Sequence, residues 1–503
     1  MADKYQDNIK KVIKRSAKSE GNLRKCLLKY HNQSKLYFKT TDDLDINDYV
    51  AVFSKPLPHD SNGLVDKTQM KLLLKSLEYG DREYMNQITL GTPTGMKLVN
   101  LLAYTSTELF GLNVASFKLR PSPVFKSVEF STEEAEIYEM AICRDVNFKD
   151  FSTNPLIASA VTSLNQLSDY RGPKPITSGN IFRGSSPGDL IGPYVSQLLF
   201  LPFKYGVCDM VQTYNFPQSG SNYLTTVEDY LKCQNGTVPK PALPFDPVKR
   251  YINTPRDLAE YVHNDTMCQA YFNAQMILSN LKVPWNPGSP YRSLIKNEAP
   301  FVTMGPPDIQ DLIHRAGRTA LHACWLKKIL FLRIRPEVYG YEVNRAKNGQ
   351  NYGVNSELLN SSTLTNVFNK FGNYLLSTSY PEGSPAHPAY PSGHAAIAGA
   401  AVTILKAFYD GNYVFPQAYV ANGTSLDPIP DKLTLTNELD KLASNCSFGR
   451  NMAGVHYRTD AEEGIRLGEN VAIELLKEHV MRYQDKVALE ITKIDGTKTV
   501  ITN

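Results

Sequence analysis

Three short segments, far apart along a chain of 503 residues, carry side chains that bind anions or transfer protons. If the fold brings them together, a lysine, two arginines, a serine, a glycine amide and two histidines could surround one tetrahedral oxyanion. Each segment alone is a weak signal, whereas the three in this order are a strong one. The segments are Lys327–Pro336, His387–His394 and Arg450–Asp460.

Composition excludes several classes of protein. Hydrophobic residues make up 42% of the chain and charged residues 21%, which is typical of globular proteins. The net charge of +4 is small for this length and no basic run with interleaved aromatic residues occurs, which argues against nucleic-acid binding. No apolar run reaches the roughly 18 residues of a membrane span, so we expect none.

The start of the chain bears on its location. Residues 1–15 are polar and lysine-rich and lack the apolar core of a signal peptide. The seven cysteines include no CxxC pair. We therefore expect reduced thiols and a cytoplasmic or otherwise intracellular protein.

Helical periodicity dominates the readable parts of the chain. Apolar residues recur at helical spacing over 69–77, 154–168, 258–281 and 308–332, and 31 prolines with 31 glycines predict long connecting loops. Near the C-terminus, alternating residues on both sides of Asp495-Gly496 predict a β-hairpin. We predict a mainly α fold with three parts: an N-terminal helical region that need not fold independently (1–180), a helical region with the three segments (181–486) and a small β-hairpin (487–503).

The first segment pairs a lysine with an arginine. Lys327 or Lys328 precedes Arg335 by about two helical turns, so the two side chains can share a helix face. Pro336 is expected to stop or kink that helix. A point charge and a planar guanidinium together suit a multiply charged oxyanion, although this segment alone is explained more simply as a solvated basic face.

The second segment begins a helix. Ser392 and Gly393 precede an alanine-rich helix predicted over 395–408, where a hydroxyl and a free backbone N–H would face the positive end of the helix dipole. Glycine lets an anion approach the backbone closely. His394 could give or take a proton there. His387, in the preceding loop, weakens the simpler explanation of a capped helix with a surface histidine.

The third segment places His456 six residues after Arg450 and four before Asp460. On a helix, His456 and Asp460 would share one face. The carboxylate could then hold one imidazole nitrogen and leave the other free as a nucleophile or metal ligand. An ordinary helical His–Asp pair explains this segment equally well, and only the three segments together favour an oxyanion site.

In this order the segments resemble the motifs of the superfamily of vanadium-dependent haloperoxidases and type-2 phosphatidic acid phosphatases. The closer resemblance is to the algal vanadium bromoperoxidases, and it spans at least residues 181–470. It rests on His387–His394, on Gly449–Tyr457 and on the upstream segment Gly188–Gln197. The resemblance implies an almost all-α fold built on two helical bundles, a vanadate cofactor and a homo-oligomer.

The resemblance also implies a role for each candidate residue. His456 would bond to vanadium, His394 would be the acid–base histidine, and Trp325 would line the pocket. His387 would be the extra histidine of bromide- and iodide-oxidising enzymes, and we expect it to titrate near neutral pH. The vanadate oxygens would be held by Arg335, Arg450, Ser392, the Gly393 amide and either Lys327 or Lys328, of which the algal spacing favours Lys327.

The implied function is the oxidation of bromide or iodide by hydrogen peroxide to a hypohalous species that halogenates small organic substrates. An alternative is a soluble acid phosphatase, in which His456 attacks phosphorus and His394 protonates the leaving group, because phosphate and vanadate share shape and charge. The lack of membrane spans argues against a lipid phosphatase. A third alternative, an inactive oligomeric scaffold, is disfavoured because every oxyanion-binding position keeps a suitable residue.

Overall fold

The computed structural model describes residues 47–105 and 113–503. Regular structure in these residues is mainly helical, with three antiparallel pairs of short strands, so the predicted mainly α fold is confirmed. None of their helices combines the length and apolar character that a membrane crossing needs. The α-helices are α1 (Lys67–Tyr79), α2 (Arg82–Asn86), α3 (Val128–Ile142), α4 (Pro155–Asn165), α5 (Val227–Gln234), α6 (Pro255–Tyr261), α7 (Gln269–Asn280), α8 (Pro290–Ser293), α9 (Pro306–Phe331), α10 (Pro336–Lys347), α11 (Ser356–Leu359), α12 (Ser362–Phe371), α13 (Gly393–Phe408), α14 (Leu435–Met452) and α15 (Arg458–Val480).

Each strand pair is a local hairpin, and the loops contain short 3-10 helices. The C-terminal hairpin places Leu489 opposite Ile501, and both are buried because alternate side chains point towards the helices. This hairpin confirms the prediction, and its first strand packs on α13. The pairs are β1 (Phe203–Tyr205) with β2 (Cys208–Met210), β3 (Ala418–Asn422) with β4 (Ser425–Ile429), and β5 (Ala488–Thr492) with β6 (Lys498–Thr502); the 3-10 helices are Asn47–Tyr49, Leu101–Thr105, Val114–Ser116, Phe148–Asp150, Pro187–Leu190 and Gln197–Leu199.

Two helix predictions are wrong in ways that matter for the site. The lysines and Arg335 do not share a helix face, because α9 ends before Leu332, which has a left-handed φ of 47°, and Arg335 precedes the next helix. Pro336 does not stop α9 but begins α10, at a position where a missing N–H costs no helical hydrogen bond. The single helix predicted over 258–281 is two helices, α6 and α7, separated by a turn in which Cys268 has a φ of 68°. Apolar spacing continues across this turn, so periodicity could not reveal it.

α13 is the central helix of the region that holds the three segments. It packs against α9, α14 and α15. A Cβ on Gly399 would lie 2.0 Å from the carbonyl oxygen of Ile465, and one on Gly468 would lie 2.0 Å from that of Ala396. Only glycine permits this close approach of two helix backbones. The crossing sets the N-terminus of α13 beside that of α15.

The main hydrophobic core includes residues from Ala51 to Ile501, and two small clusters lie apart from it. Buried ion pairs cross it, such as Glu133 of α3 with Arg333. The division of the chain at residues 180 and 486 stays a prediction. The six cysteines in the described residues are free thiols, as expected, while Cys26 lies outside these residues.

Candidate active site

The three segments meet at the N-terminal ends of three helices. Arg335 is the N-cap of α10, Ser392 that of α13 and Tyr457 that of α15. The Ser392 N–H donates to the carbonyl oxygen of Asp460 at 2.9 Å, and the side chains of Arg335 and His456 are also 2.9 Å apart. Because helix N-termini carry partial positive charge and unpaired N–H groups, their convergence favours a bound anion.

His456 lies in the turn between α14 and α15, so its predicted helical pairing with Asp460 is wrong in form, although the contact exists. Its Nδ1 donates to Oδ2 of Asp460 at 2.9 Å, and its Nε2 accepts from Nη1 of Arg335 at 2.9 Å. Burial, followed by the charges of Arg335, Lys328 and Arg450, holds the pKa of His456 well below its usual range. The imidazole is therefore neutral, and Nε2 keeps a lone pair on the cationic side of the site.

Asp460 accepts hydrogen bonds from three groups. Oδ1 accepts from Arg333 at 2.7 Å, while Oδ2 accepts from the Tyr457 N–H at 3.1 Å as well as from His456. Arg333 also donates to Glu133 at 2.7 Å. These donors orient the carboxylate and, through it, the imidazole. Sequence reasoning missed Arg333; its alternation with Arg335 would have been a signal only in a stretch known to be extended.

Arg335 lies between His456 and His387. Its guanidinium donates to the carbonyl oxygens of His387 at 3.0 Å and Val455 at 2.6 Å, and to Nδ1 of His387 at 3.0 Å. An arginine can only donate, so its contact requires an unprotonated Nδ1, whereas the 3.2 Å contact of the same Nδ1 with the carbonyl oxygen of Pro388 requires a protonated one. Burial and the surrounding cations hold the pKa of His387 well below its usual range. This direction contradicts a titration near neutral pH for His387 on its own, while its titration beside a bound oxyanion stays a prediction. Its ring also lies 4.8 Å from that of Trp325.

The two candidate lysines differ in what their ammonium groups can still bind. Lys328 is fully buried and donates to the carbonyl oxygens of Pro388 at 2.8 Å, Ala389 at 2.9 Å and Pro391 at 2.5 Å. Its three donors are thus used, and burial lowers its pKa to about 7. Burial lowers the pKa of Lys327 too, but its ammonium finds no acceptor among the residues that the structure describes.

Arg450 approaches the site from the last turn of α14. Its Nη1 donates to the carbonyl oxygen of Val262 at 2.9 Å and to the hydroxyl of Tyr380 at 3.2 Å. Its Nε is buried without a partner in the described parts of the chain. A buried guanidinium N–H is costly to leave unpaired, so this group is suited to a bound ligand.

The start of α13 offers two further donors. The hydroxyl oxygen of Ser392 accepts from the Ala395 N–H at 3.4 Å, which leaves its proton free to donate. Gly393 is the first residue of the helix, so its N–H has no intrahelical acceptor. A helix was predicted from residue 395, whereas α13 begins at Gly393. The Ser392 hydroxyl and the Gly393 N–H therefore lie at the N-terminus of this helix.

His394, on the first turn of α13, is bound to a carboxylate that sequence reasoning missed. Its Nε2 donates to Oδ1 of Asp265 at 3.0 Å, and both side chains are partly exposed. This contact leaves Nδ1 of His394 for proton transfer to a bound group. Asp265 follows α6 within the turn that the periodicity concealed, and no motif marked it.

The site holds more positive than negative charge. Lys328, Arg335 and Arg450 lie near enough to His456 to depress its pKa, while the carboxylate of Asp460 is already paired with Arg333. A tetrahedral oxyanion such as vanadate or phosphate would offset this charge and accept from the unpaired donors. The residues present therefore fit such a group.

Comparisons with known proteins agree with this geometry. The model of the VCPO second helical-bundle domain matches residues 311–486. A vanadium-dependent bromoperoxidase of Corallina officinalis is 31% identical in an alignment 545 positions long, which covers 89% of this chain and 90% of the relative. The chain belongs to the vanadium-dependent bromoperoxidase family. The resemblance inferred from the three segments is confirmed.

Two further members of the vanadium-dependent bromoperoxidase family extend the comparison to Ascophyllum nodosum. One is 29% identical in an alignment 480 positions long, which covers 89% of this chain and 86% of the relative. The solved structure of a second vanadate-dependent bromoperoxidase from this organism, a homohexamer, matches with a TM-score of 0.89 and 26% identity, covering 97% of this chain and 90% of that one. The fold of the family therefore extends over nearly the whole chain.

Proposed function

We propose that this protein is a vanadate-dependent haloperoxidase that uses hydrogen peroxide to oxidise bromide or iodide, yielding a hypohalous species that halogenates small organic substrates. The observation that carries the proposal is the neutral imidazole of His456, whose Nε2 lone pair faces a buried surplus of positive charge. A lone pair suits bonding to vanadium, and the surplus charge suits the oxygens of vanadate.

The residues that would hold vanadate follow from their free donors. His456 would bond through Nε2, and Arg335 would exchange its contact with that nitrogen for a contact with an oxygen. Nε of Arg450, the hydroxyl of Ser392 and the amide of Gly393 would complete the binding. We propose Lys327 as the lysine of the site, since the donors of Lys328 are bound to carbonyl oxygens.

When bound, vanadate supplies the centre at which hydrogen peroxide is activated for halide oxidation. Nδ1 of His394 would take and return protons there, with Asp265 fixing the ring through Nε2. His387 would act as a neutral hydrogen-bond donor through its Nε2 in the tautomer whose Nδ1 accepts from Arg335. The cations would withdraw electron density from the reacting oxygens.

A test of this proposal is halogenation of an organic dye by peroxide and bromide, with and without orthovanadate. We expect activity only with orthovanadate, and neither activity nor orthovanadate binding in His456→Ala. His479→Gln is a matched control, because His479 is also bonded to a carboxylate, that of Asp308 at 3.0 Å, but belongs to another part of the core. Equal orthovanadate affinity in His456→Ala and the wild type would refute the role of His456.

The second candidate function, an acid phosphatase, is favoured by the same donors and by the bond between His394 and Asp265. In this reaction Nε2 of His456 would attack phosphorus and His394 would protonate the leaving group. Rapid hydrolysis of a phosphomonoester by the orthovanadate-free protein, with no halogenation after orthovanadate is added, would select this function. Under the haloperoxidase proposal, phosphate should only slow reconstitution by competing for the same donors.

We also propose that the protein forms a homo-oligomer. The structural relative in Ascophyllum nodosum is a homohexamer, and the two chains match over nearly their full lengths. Large apolar side chains remain on the surface of this protomer, among them Val207, Leu294, Phe301 and Val302, and association would bury such groups. Light scattering coupled to size-exclusion chromatography would test this, and a monomer at micromolar concentration would refute it.

A further inference from the structure

A fourth segment, residues 259–265, contacts the site residues although none of its members stood out in the sequence. It runs from the end of α6 into the turn before α7. Four of its residues each bind a different part of the site or of the loop before it. The contacts are Ala259 O with Tyr380 Oη at 2.5 Å, Val262 O with Arg450 Nη1 at 2.9 Å, His263 Nε2 with Glu382 Oε1 at 2.6 Å and Asp265 Oδ1 with His394 Nε2 at 3.0 Å.

His263 is the member of this segment that ties it to the loop. Its Nε2 contacts Glu382, and its Nδ1 lies 3.3 Å from Oε2 of Glu260. Its ring stacks on that of Tyr380, with centroids 3.7 Å apart and planes 8° from parallel. Two carboxylates on two ring nitrogens favour the doubly protonated imidazolium, and the pKa of His263 is raised to about 9, against an opposing effect of burial.

The loop that His263 contacts, through Tyr380 and Glu382, leads to His387. The carbonyl oxygen of Glu382 also accepts from the ammonium of Lys55 at 2.7 Å, and so does that of Ser384 at 2.7 Å. The loop is thus held by a buried lysine on one side and by His263 on another. These contacts involve no atom that would bind an oxyanion.

Arg450 depends on two atoms next to His263. The hydrogen bonds of its guanidinium within the described residues go to the carbonyl oxygen of Val262, which precedes His263, and to the hydroxyl of Tyr380, on which His263 stacks. The first acceptor belongs to the segment and the second to the loop, so both lie where the two meet. The ion pair of His263 with Glu382 and the stacked rings join them there, together with the hydrogen bond from the Tyr380 hydroxyl to the carbonyl oxygen of Ala259.

We propose that His263 is a positioning residue, which holds Tyr380 and the carbonyl of Val262 in place so that Arg450 points its free N–H groups at the bound oxyanion. This inference rests on the proposed oxyanion site and adds a residue to it. Outer contacts of this kind typically change ligand affinity by about tenfold to a hundredfold when removed. A purely structural role would change stability and leave affinity unchanged.

The test is orthovanadate and phosphate binding by calorimetry on the full chain, for His263→Ala, Arg450→Ala and the double variant. We expect His263→Ala to weaken orthovanadate about tenfold or more and to add little in the Arg450→Ala background, because residues that act through one another are not additive. Additive losses, or an affinity of His263→Ala within about twofold of wild type (about 0.4 kcal/mol), would overturn the proposal.

Two further variants keep the test decisive. His263→Gln preserves volume and one hydrogen bond to Glu382, so it serves if His263→Ala does not fold, and we expect an affinity between those of His263→Ala and wild type; wild-type affinity would overturn the proposal. His479→Gln removes another partly buried histidine from a carboxylate and should leave affinity unchanged. If the wild type binds neither anion, the proposed function itself fails and this inference falls with it.

Discussion

Asp460→Asn tests how the Asp460 carboxylate supports His456, the proposed vanadium ligand, by replacing one carboxylate oxygen with an amide NH2 group. The carboxylate accepts from Arg333, from the imidazole of His456 and from the Tyr457 N–H. An amide has one acceptor oxygen and one donor nitrogen, so it cannot accept at both positions. In every orientation of the asparagine, its NH2 group therefore faces a neighbour that also donates.

Either orientation carries a definite cost. If the amide nitrogen faces His456, it also faces the Tyr457 N–H, and the imidazole must carry its proton on Nε2, where the lone pair is needed. If the nitrogen faces Arg333, that buried guanidinium keeps only Glu133 as a carboxylate partner. Removing one partner of a buried ion pair costs about 3–5 kcal/mol, and losing the support of a metal-binding histidine costs about tenfold to a hundredfold in affinity.

Calorimetric titration with orthovanadate and unfolding in urea would measure both effects. We expect affinity to fall about tenfold to a hundredfold and stability to fall by up to about 5 kcal/mol. Asp308→Asn is a matched control, because Asp308 also accepts from an imidazole (His479, 3.0 Å), from a hydroxyl (Tyr483, 2.5 Å) and from a backbone N–H (Met304, 2.7 Å). It should lose stability and keep wild-type affinity. An unchanged orthovanadate affinity in Asp460→Asn would refute the reasoning.

Three further predictions follow from individual contacts. Lys327→Met should weaken orthovanadate binding by roughly tenfold or more, the worth of a hydrogen bond to a charged group, without loss of stability in urea, whereas Lys328→Met should act mainly on stability; the reverse pattern would reassign the lysine. His387→Phe should keep orthovanadate binding but change the relative rates with iodide, bromide and chloride in steady-state kinetics, and unchanged ratios would make His387 a structural loop residue. Because the pKa of His263 is raised from 6.5 to about 9, its contribution to stability is fully present below about pH 6.5 and is lost as the pH rises through about 9. The difference in unfolding free energy between wild type and His263→Gln should therefore shrink from up to about 3 kcal/mol near pH 6 to a small value near pH 10; a difference that grows with pH would contradict this assignment.

The neutral state of His387 affects how a titration observed near neutral pH should be interpreted. Arg335 donates to its Nδ1 at 3.0 Å, and burial with neighbouring cations depresses its pKa. A bound oxyanion would reduce this positive potential and so favour protonation of His387 more than in the anion-free protein. A titration seen near neutral pH would then report the bound anion as much as the histidine.

The sequence alone determined the helical class, the C-terminal hairpin and the residues that converge. Helical spacing and the alternation around Asp495-Gly496 are local patterns, and local patterns follow from the geometry of a single element. The Ser392-Gly393 pair before an alanine-rich helix likewise identifies a helix start, because capping is decided by a few adjacent residues. These properties need no knowledge of what packs where.

The tertiary structure decided which residues contact one another at the site. The contacts of Asp265 with His394, of Arg333 with Asp460 and of His263 with Glu382 join residues that lie more than a hundred positions apart in the chain. The difference between Lys327 and Lys328 depends on which carbonyl oxygens the neighbouring loop presents. Burial and the summed field of several cations fix the neutral states of His387 and His456. Such contacts and fields arise only when distant segments pack, which a one-dimensional pattern does not encode.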